Sequence, residues 1–459
     1  MISLSCKEIT QILDGVMSGA DVEIKSVSTD SRNITAGDLF IALKGPNFDG
    51  SAFIADVKAK GAVAVVVEHP VAEDITQIIV RDTRLALGQL AAAVKAKLAP
   101  QTIAVTGSAG KTTVKEMMAA ILSRRGSVLS TQGNFNNDIG VPLTMLRLTP
   151  QHQYAVLELG ANHQGEIAYT TTLAQPDVAI ITNVAPSHLE GFGDVYGVAR
   201  AKGEIFNAIT TQGLAIIPAD SEYAEYWLTR LDGKPVQRFS ADNPAADYYA
   251  QSVVLNAEGC AGFELVCPSG RQLVQLTLPG KHNVANALAA AAACIAMGAS
   301  LADVQLGLAQ MQAVKGRTNV KMVNANVRLI DDSYNANVES VKAAIDLLAS
   351  YSGYRILVLG DMAELGADAR LYHEEIGLYA KKSGINLLFT LGVLSQSASD
   401  LFNGQGAHFS SRQTLLQRLM PIVSEQQEVT LLVKGSRSAK MELVVQDLLE
   451  SCQQENESC

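Results

Sequence analysis

No stretch of this chain is apolar for long enough to cross a bilayer. The most apolar one, Leu288 to Met297, is mostly alanine and falls well short of the roughly 20 residues a span needs. Cysteines are few and scattered: Cys6, Cys260, Cys267, Cys294, Cys452 and Cys459 show no paired short spacing. That argues against a zinc knuckle or a disulfide framework and fits a reducing compartment. Positive charge is outweighed, since 36 Lys and Arg stand against 46 Asp and Glu for a formal net charge of −10. A broad nucleic-acid surface needs the opposite sign to replace phosphate counterions. The opening residues Met1-Ile2-Ser3-Leu4-Ser5-Cys6-Lys7-Glu8 lack the basic start and apolar core of an export leader. The expectation is a cytoplasmic protein with no membrane insertion and no nucleic-acid partner, taking small anionic ligands through local donors. Nothing calls for an obligate assembly, and a monomer is expected.

What the chain has is apolar material, 48% of its residues against 18% charged, enough for well-buried α/β cores. At 459 residues it is too long for one core, and about 150 residues per domain suggests about three.

The stretch around which the rest can be arranged is Thr106-Gly107-Ser108-Ala109-Gly110-Lys111-Thr112-Thr113. An apolar run, Thr102-Ile103-Ala104-Val105, precedes it, and Val114, Met117, Met118, Ile121 and Leu122 follow at helical spacing. Strand, glycine loop and helix in that order make an anion cradle: the glycines let successive N–H groups face a phosphate, and the helix N-terminus adds positive partial charge. Lys111 then reaches the outer phosphates, and the Thr112 hydroxyl is available to a magnesium ion bridging them. The loop is a short G-x-x-G-K-T form, with Val105 where the longer motif has its first glycine.

Along the chain, residues 1–83 read as a small α/β domain with a helix near Lys7 to Gly15 and strands Leu39–Leu43 and Ala62–Val67. Its polar stretches Ser28 to Arg32 and Lys44 to Gly50 read as plain turns on the residues alone. Residues 84–315 alternate apolar strands with polar strand ends, a doubly wound pattern in which ligands collect at the carboxyl ends of strands. Three places qualify there. Glu158 ends the strand from Tyr154, where a carboxylate suits magnesium or its water. His188 follows the strand Val178 to Asn183. Lys202 opens a helix, and by itself reads as an exposed lysine. Between the loop and Glu158 lies the amide-rich run Thr131 to Pro142, either a turn or a surface for a polar sugar. The span 247–280 alternates like hairpins, and Pro279 to Asn286 leads into an alanine-rich helix. Residues 316–459 read as a Rossmann-like domain without G-x-G-x-x-G, so no dinucleotide is expected. Its strand ends Asp331 to Asn337, Gly360 to Gly366 and Lys434 to Arg437 should converge on one edge of the sheet.

Taken together, these segments resemble the Mur ligases of peptidoglycan synthesis over essentially the whole chain, with Thr29-Asp30-Ser31-Arg32 extending the likeness to the N-terminal domain. Within that family the runs Asp331-Asp332-Ser333-Tyr334-Asn335-Ala336-Asn337 and Gly360-Asp361-Met362-Ala363-Glu364-Leu365-Gly366 resemble the dipeptide-adding members. The Asp-Asn-Pro-Arg of the diaminopimelate-adding members is not matched, because Asp242-Asn243-Pro244 is followed by Ala245 and lies in the central domain. Val338 stands where the family often has proline.

The resemblance implies an α/β chain of three domains: a UDP-substrate-binding domain, a central phosphate-loop ATPase domain, and a Rossmann-like domain for the incoming amine. It implies ATP-dependent joining of UDP-N-acetylmuramoyl-tripeptide to D-alanyl-D-alanine through an acyl phosphate, giving ADP and phosphate. Carried over by position, Gly107, Ser108, Ala109, Gly110, Lys111, Thr112 and Thr113 hold the phosphates, while Thr112 and Glu158 hold a first Mg2+ ion. His188 corresponds to a ligand of a second Mg2+, and Lys202 to a lysine that the family carries as a carbamate. Asn283 and Asn286 correspond to adenine-side contacts, Arg317 and Asp332 to γ-phosphate and ribose contacts. Ser31, Arg32, Asn134, Asn136, Asn137, Asn335 and Asn337 correspond to substrate contacts. A site divided between domains implies closure of the third one. The competing readings are another amino-acid-adding ligase of the family, a folylpolyglutamate-synthetase-like ligase, a uridine-nucleotide binding module and a GTPase. The last would need an Asn-Lys-x-Asp, which the chain lacks.

Overall fold

The computed structural model describes residues 2–46, 48–402 and 404–457, the last six of these as backbone alone. Asn47, within the Lys44 to Gly50 stretch, and Cys459 lie outside the described residues, as does the side chain of Cys452. The four described cysteines, Cys6, Cys260, Cys267 and Cys294, are buried and free. No helix among the described residues is long and apolar enough to cross a membrane.

Three principal sheets follow one another along the chain. The first has Asp38–Ile41 and Ala64–Val67 at its centre, flanked by Ser26–Ser28 and Thr76–Ile79, with Val16–Ser18 antiparallel at the far edge. Its opening helix, Cys6–Ile12, starts where Ser5 and Glu8 form a reciprocal capping box and stops short of the expected Gly15, because Asp14 turns left-handed at φ +48°.

The middle sheet has nine strands, and its order explains where a ligand can sit. Gln101–Thr106 lies between His152–Glu158 on one side and Val178–Ile181 on the other. The chain therefore winds outward first to Ser127–Ser130 and later in the other direction through Leu214–Pro218 and Val236–Ser240, all parallel. That reversal opens a crevice beyond the carboxyl ends of the central strands. Tyr248–Leu255, Cys260–Cys267 and Gly270–Pro279 finish the sheet, the last two antiparallel, as the alternating pattern predicts. The alanine-rich helix Asn283–Ala296 then packs across one face, its small side chains letting it lie close to Lys111–Leu122.

The third sheet places Val429–Lys434 between Val327–Asp332 and Tyr354–Gly360, all parallel, with Leu387–Leu391 and Gly406–Phe409 beyond. Asn319–Met322 adds an antiparallel edge that the sequence pattern does not reveal. The strand ends at Asp332, Gly360 and Lys434 do lie side by side.

Lys202 does not open a helix; it sits in the last turn of Val195–Gly203, whose start is set by Asp194 accepting the Gly197 amide at 2.6 Å. The helix Thr83–Leu98 belongs to no single lobe: it packs on Cys6–Ile12 of the first and on Gly140–Met145 and Glu166–Ala174 of the middle. Ala86, Leu87, Leu90, Ala91 and Val94 of that helix join the cores of both into one apolar cluster, which also holds Trp227. Leu90→Ala should thus cost about 2–5 kcal/mol. The lone tryptophan, Trp227, should report the loss as a lower urea midpoint although it lies in another part of the cluster.

Candidate active site

The loop after Gln101–Thr106 can curl because two positions tolerate only glycine. At Gly107 the backbone has φ +153° and a Cβ would fall 1.8 Å from Thr182 Oγ1; at Gly110 φ is +80° and a Cβ would fall 2.5 Å from Asn286 Oδ1. Val105 lies inside the strand, fully buried, so a glycine there would have no turn to make and the short form of the motif suffices. The neighbouring strand end braces the loop. Thr182 Oγ1 donates to Ala109 O at 2.6 Å, Asn183 Oδ1 accepts the Ala109 amide at 2.8 Å, and Ser108 Oγ bridges to the Ala185 main chain at 3.0 Å. No side chain caps the helix Lys111–Leu122, which leaves its first amides for an anion.

Behind the loop the charges are arranged tightly. Lys111 Nζ donates to Gly107 O at 2.7 Å, folding back along its own loop. Burial lowers its pKa and Arg317 adds to that, against the pull of Glu158. Glu158, 2% exposed, has both carboxylate oxygens engaged: Thr112 Oγ1 donates to Oε2 at 2.8 Å and Asn136 Nδ2 to Oε1 at 2.9 Å. Its amide donates to Thr131 Oγ1 at 3.0 Å. Phe192 separates two further groups, with its ring edge-on to His188 at 6.3 Å and its centroid 5.5 Å from Lys202 Nζ. Lys202 is 1% exposed, and among the described residues no hydrogen bond or ion pair ends on its Nζ. Desolvation, reinforced by repulsion from Lys111, brings its pKa down to about 7 despite Glu204, Glu166 and Glu158. His188 is likewise pushed down by burial, with the Glu364 carboxylate opposing.

The third lobe forms the opposite wall of a cleft of about 600 Å³. Asn337, which caps the helix Val338–Ser350, also donates from Nδ2 to Ser108 O at 3.0 Å, so the lobe touches the loop itself. Asp332 accepts from Lys434 Nζ at 2.5 Å and from the Thr318 amide at 3.0 Å, and Lys434 donates to Asn335 O at 3.0 Å. The Arg317 guanidinium lies 4.4 Å over the Tyr334 ring, with Arg437 5.8 Å from the same ring.

Of the residues singled out in the sequence, Ser108 to Thr113, Asn136, Asn137, Glu158, His188, Asn286, Arg317, Asp332, Asn335 and Asn337 all line this cleft. Asn283 stands behind it, buried, accepting from Asn286 Nδ2 at 2.9 Å and so orienting it. Lys202 is buried beneath it. Asn134 is exposed and outside it, while Ser31 and Arg32 sit in the first lobe, where the Arg32 guanidinium pairs with Asp30 at 2.8 Å. The sequence patterns give no separate role to Thr182, Asn183, Tyr334, Lys434 or Arg437, all of which line or brace the cleft. Each stands at a strand end of the two sheets, the signal by which Glu158 was found. Asp220 and Asp242, just after the strands Leu214–Pro218 and Val236–Ser240, also reach the cleft wall and share that signal.

A phosphate cradle on one lobe and a polar wall contributed by another define a nucleotide-binding protein whose second reactant enters between lobes. Models of known families sharpen the class. The Mur ligase middle domain matches residues 105–294, the Mur ligase glutamate ligase domain residues 316–437, and the Mur ligase family catalytic domain residues 23–95. The chain belongs to the Mur ligase family. It is 48% identical to the UDP-N-acetylmuramoyl-tripeptide--D-alanyl-D-alanine ligase of Escherichia coli K12, over 100% of both chains. It superposes on a crystal structure of MurF from Acinetobacter baumannii with a TM-score of 0.94 at 39% identity, covering 98% of this chain and 99% of that one. It also superposes on a MurF ligase from Thermotoga maritima in complex with ADP with a TM-score of 0.84 at 26% identity, covering 94% and 98%.

Gly107→Ala should remove nucleotide binding while leaving the fold. Calorimetric titration with ADP is expected to show affinity down at least ~10-fold, the equivalent of 1.4 kcal/mol, with an unchanged far-ultraviolet dichroism spectrum.

Proposed function

We propose that this protein joins the tripeptide carboxylate of UDP-N-acetylmuramoyl-tripeptide to the amine of D-alanyl-D-alanine at the expense of ATP. What carries the reading is the two-walled cleft, in a chain matched end to end by a ligase of that name. A carboxylate is a poor electrophile until phosphorylated. In the proposed sequence a carboxylate oxygen attacks the γ-phosphorus, the bond to ADP breaks, and an acyl phosphate forms. The deprotonated amine then attacks the acyl carbon, and phosphate leaves from the tetrahedral intermediate. The loop amides and Lys111 hold the triphosphate, Arg317 approaches from the third lobe, and the enclosed cleft keeps water from the acyl phosphate. The amine is received by the third lobe, whose Asn335, Asn337 and Arg437 line the same space. Ser31 and Arg32 belong in this reading to the wall that meets the uridine diphosphate.

The residues present fit magnesium. Thr112 and Glu158 offer hard oxygens on one side only, and among the described residues no cluster of three or more His, Cys, Asp or Glu could hold a metal unaided. That suits an ion that keeps most of its shell for phosphate oxygens and water. Bound there, it would neutralise phosphate charge. His188 and Lys202 would serve a second ion. Lys202 fits as a carbamate: a buried ammonium without a partner is costly, and with a pKa of about 7 the free amine needed to take up carbon dioxide is well populated. The uptake joins nitrogen to the carbon of CO2 and releases one proton, turning a repelling cation into an anionic ligand.

Phosphate release from ATP in the presence of the tripeptide nucleotide should rise with D-alanyl-D-alanine and stay at baseline with diaminopimelate, lysine or glutamate. Stimulation by one of the latter instead would reassign the amine. Equilibration with 13C-labelled carbon dioxide should give a carbamate carbonyl resonance that Lys202→Arg abolishes. A plain amine at Lys202 in an active preparation would refute the carbamate.

A further inference from the structure

Two non-glycine residues with left-handed backbone meet across the boundary between the middle and third lobes: His188 at φ +51° and Glu364 at φ +63°. Glu364 lies in the turn after the strand Tyr354–Gly360. Its carbonyl accepts the Leu189 amide at 2.8 Å. Its carboxylate rests against His188 Nδ1 as an ion-pair contact outside hydrogen-bond geometry. Gly366, at φ +68°, keeps the turn close, with a Cβ position 3.8 Å from Leu189 Cβ.

The turn is held from behind by groups with no part in the ligation. His373 is fully buried, accepts the Met362 amide on Nε2 at 2.9 Å and donates from Nδ1 to Ala369 O at 2.7 Å. The Asp361 carboxylate accepts the amides of Val393 at 2.9 Å and Ser395 at 2.8 Å. Strained backbone on both sides of a contact persists only where the surroundings over-determine it, and such positions cluster at functional sites. A neutral imidazole has one N–H, and a carboxylate beside one ring nitrogen makes that nitrogen the donor, leaving the other with its lone pair.

We propose that Glu364 is a positioning residue for His188, delivered by the third lobe. Seating the lobe brings a carboxylate to Nδ1, selects the Nδ1–H tautomer and leaves Nε2 free to ligate a divalent cation on the triphosphate. His188 is then set for its task only while the lobe that receives the amine is in place, which couples amine-lobe docking to the phosphate site. This rests on the role given to His188 in the proposed function.

The test uses the full chain with a non-hydrolysable ATP analogue and Mn2+, and needs no turnover, so it stands even if the ligation assay fails. Glu364→Gly removes the side chain at a position whose φ glycine tolerates, and Glu364→Gln restores an acceptor oxygen. Long-range 1H–15N correlation, with the His188 signals assigned by His188→Gln, should show Nδ1–H in the parent. In Glu364→Gly the ring should move to Nε2–H and the Mn2+ affinity, read by electron paramagnetic resonance, should fall about 10–100-fold. The unfolding midpoint should hold, and Glu364→Gln should recover the parent tautomer. Parent-like tautomer and Mn2+ affinity in Glu364→Gly, or Gly and Gln variants that cannot be told apart, would overturn the proposal.

Discussion

Everything in the cleft depends on how closely the phosphate loop presses against its neighbours. The Cβ positions at Gly107 and Gly110 are filled by Thr182 and Asn286, from a neighbouring strand end and from a helix far along the chain. That close approach turns a glycine-rich connection into a cradle of fixed shape. It is possible only because the sheet order puts Gln101–Thr106 between the strands that end at Glu158 and Ile181. The same adjacency brings the Glu158 carboxylate to the Thr112 hydroxyl.

The cradle is also a local reversal of charge. In a chain of net charge −10, the buried Lys115 and Lys202 and the half-buried Lys111 gather near one buried acid, Glu158. Lys111 folds onto Gly107 O, Lys115 donates to Thr131 O at 2.7 Å, and Lys202 stands without a partner among the described residues. Lys115 is paired with Glu116, whereas Lys111 and Lys202 have no carboxylate partner among the described residues and so favour an arriving anion. Lys115 further steadies Thr131, which receives the Glu158 amide, so the buried cation and the buried acid hold the same turn from two sides.

Dividing the site between lobes has a physical logic for the proposed reaction, whose acyl phosphate is a water-sensitive mixed anhydride. One lobe can grip the nucleotide continuously while the other brings the amine and shuts out solvent. Among the described residues, the contacts of Asn337 with Ser108 and of Glu364 with His188 and Leu189 tie the lobes at the cleft, and Tyr351 Oη donates to Glu258 O at 2.7 Å away from it. A joint made of a few polar contacts can open without breaking either core.

Much of this could be read from the sequence. The strand–loop–helix order around Lys111, the strand-end acid at Glu158, the hairpin run to Pro279 and the parallel strands of the third lobe all come from local periodicity and turn chemistry, which nearest neighbours along the chain dictate. What the chain could not declare were facts of distance between segments. Lys202 looked like an exposed lysine at a helix start because its burial beneath Phe192 comes from tertiary packing. Thr182 meets the loop because strand order lays its strand end there, whereas Tyr334 meets the cleft and Glu364 meets His188 only through the seating of the third lobe. The helix Thr83–Leu98 likewise belongs to two cores at once, which no boundary drawn in one dimension can express. Local residue patterns determined which elements form and what chemistry each can offer. Only the order of strands in the sheets and the seating of the third lobe decided which of those groups meet, because such contacts join residues dozens to hundreds of positions apart that no local rule relates.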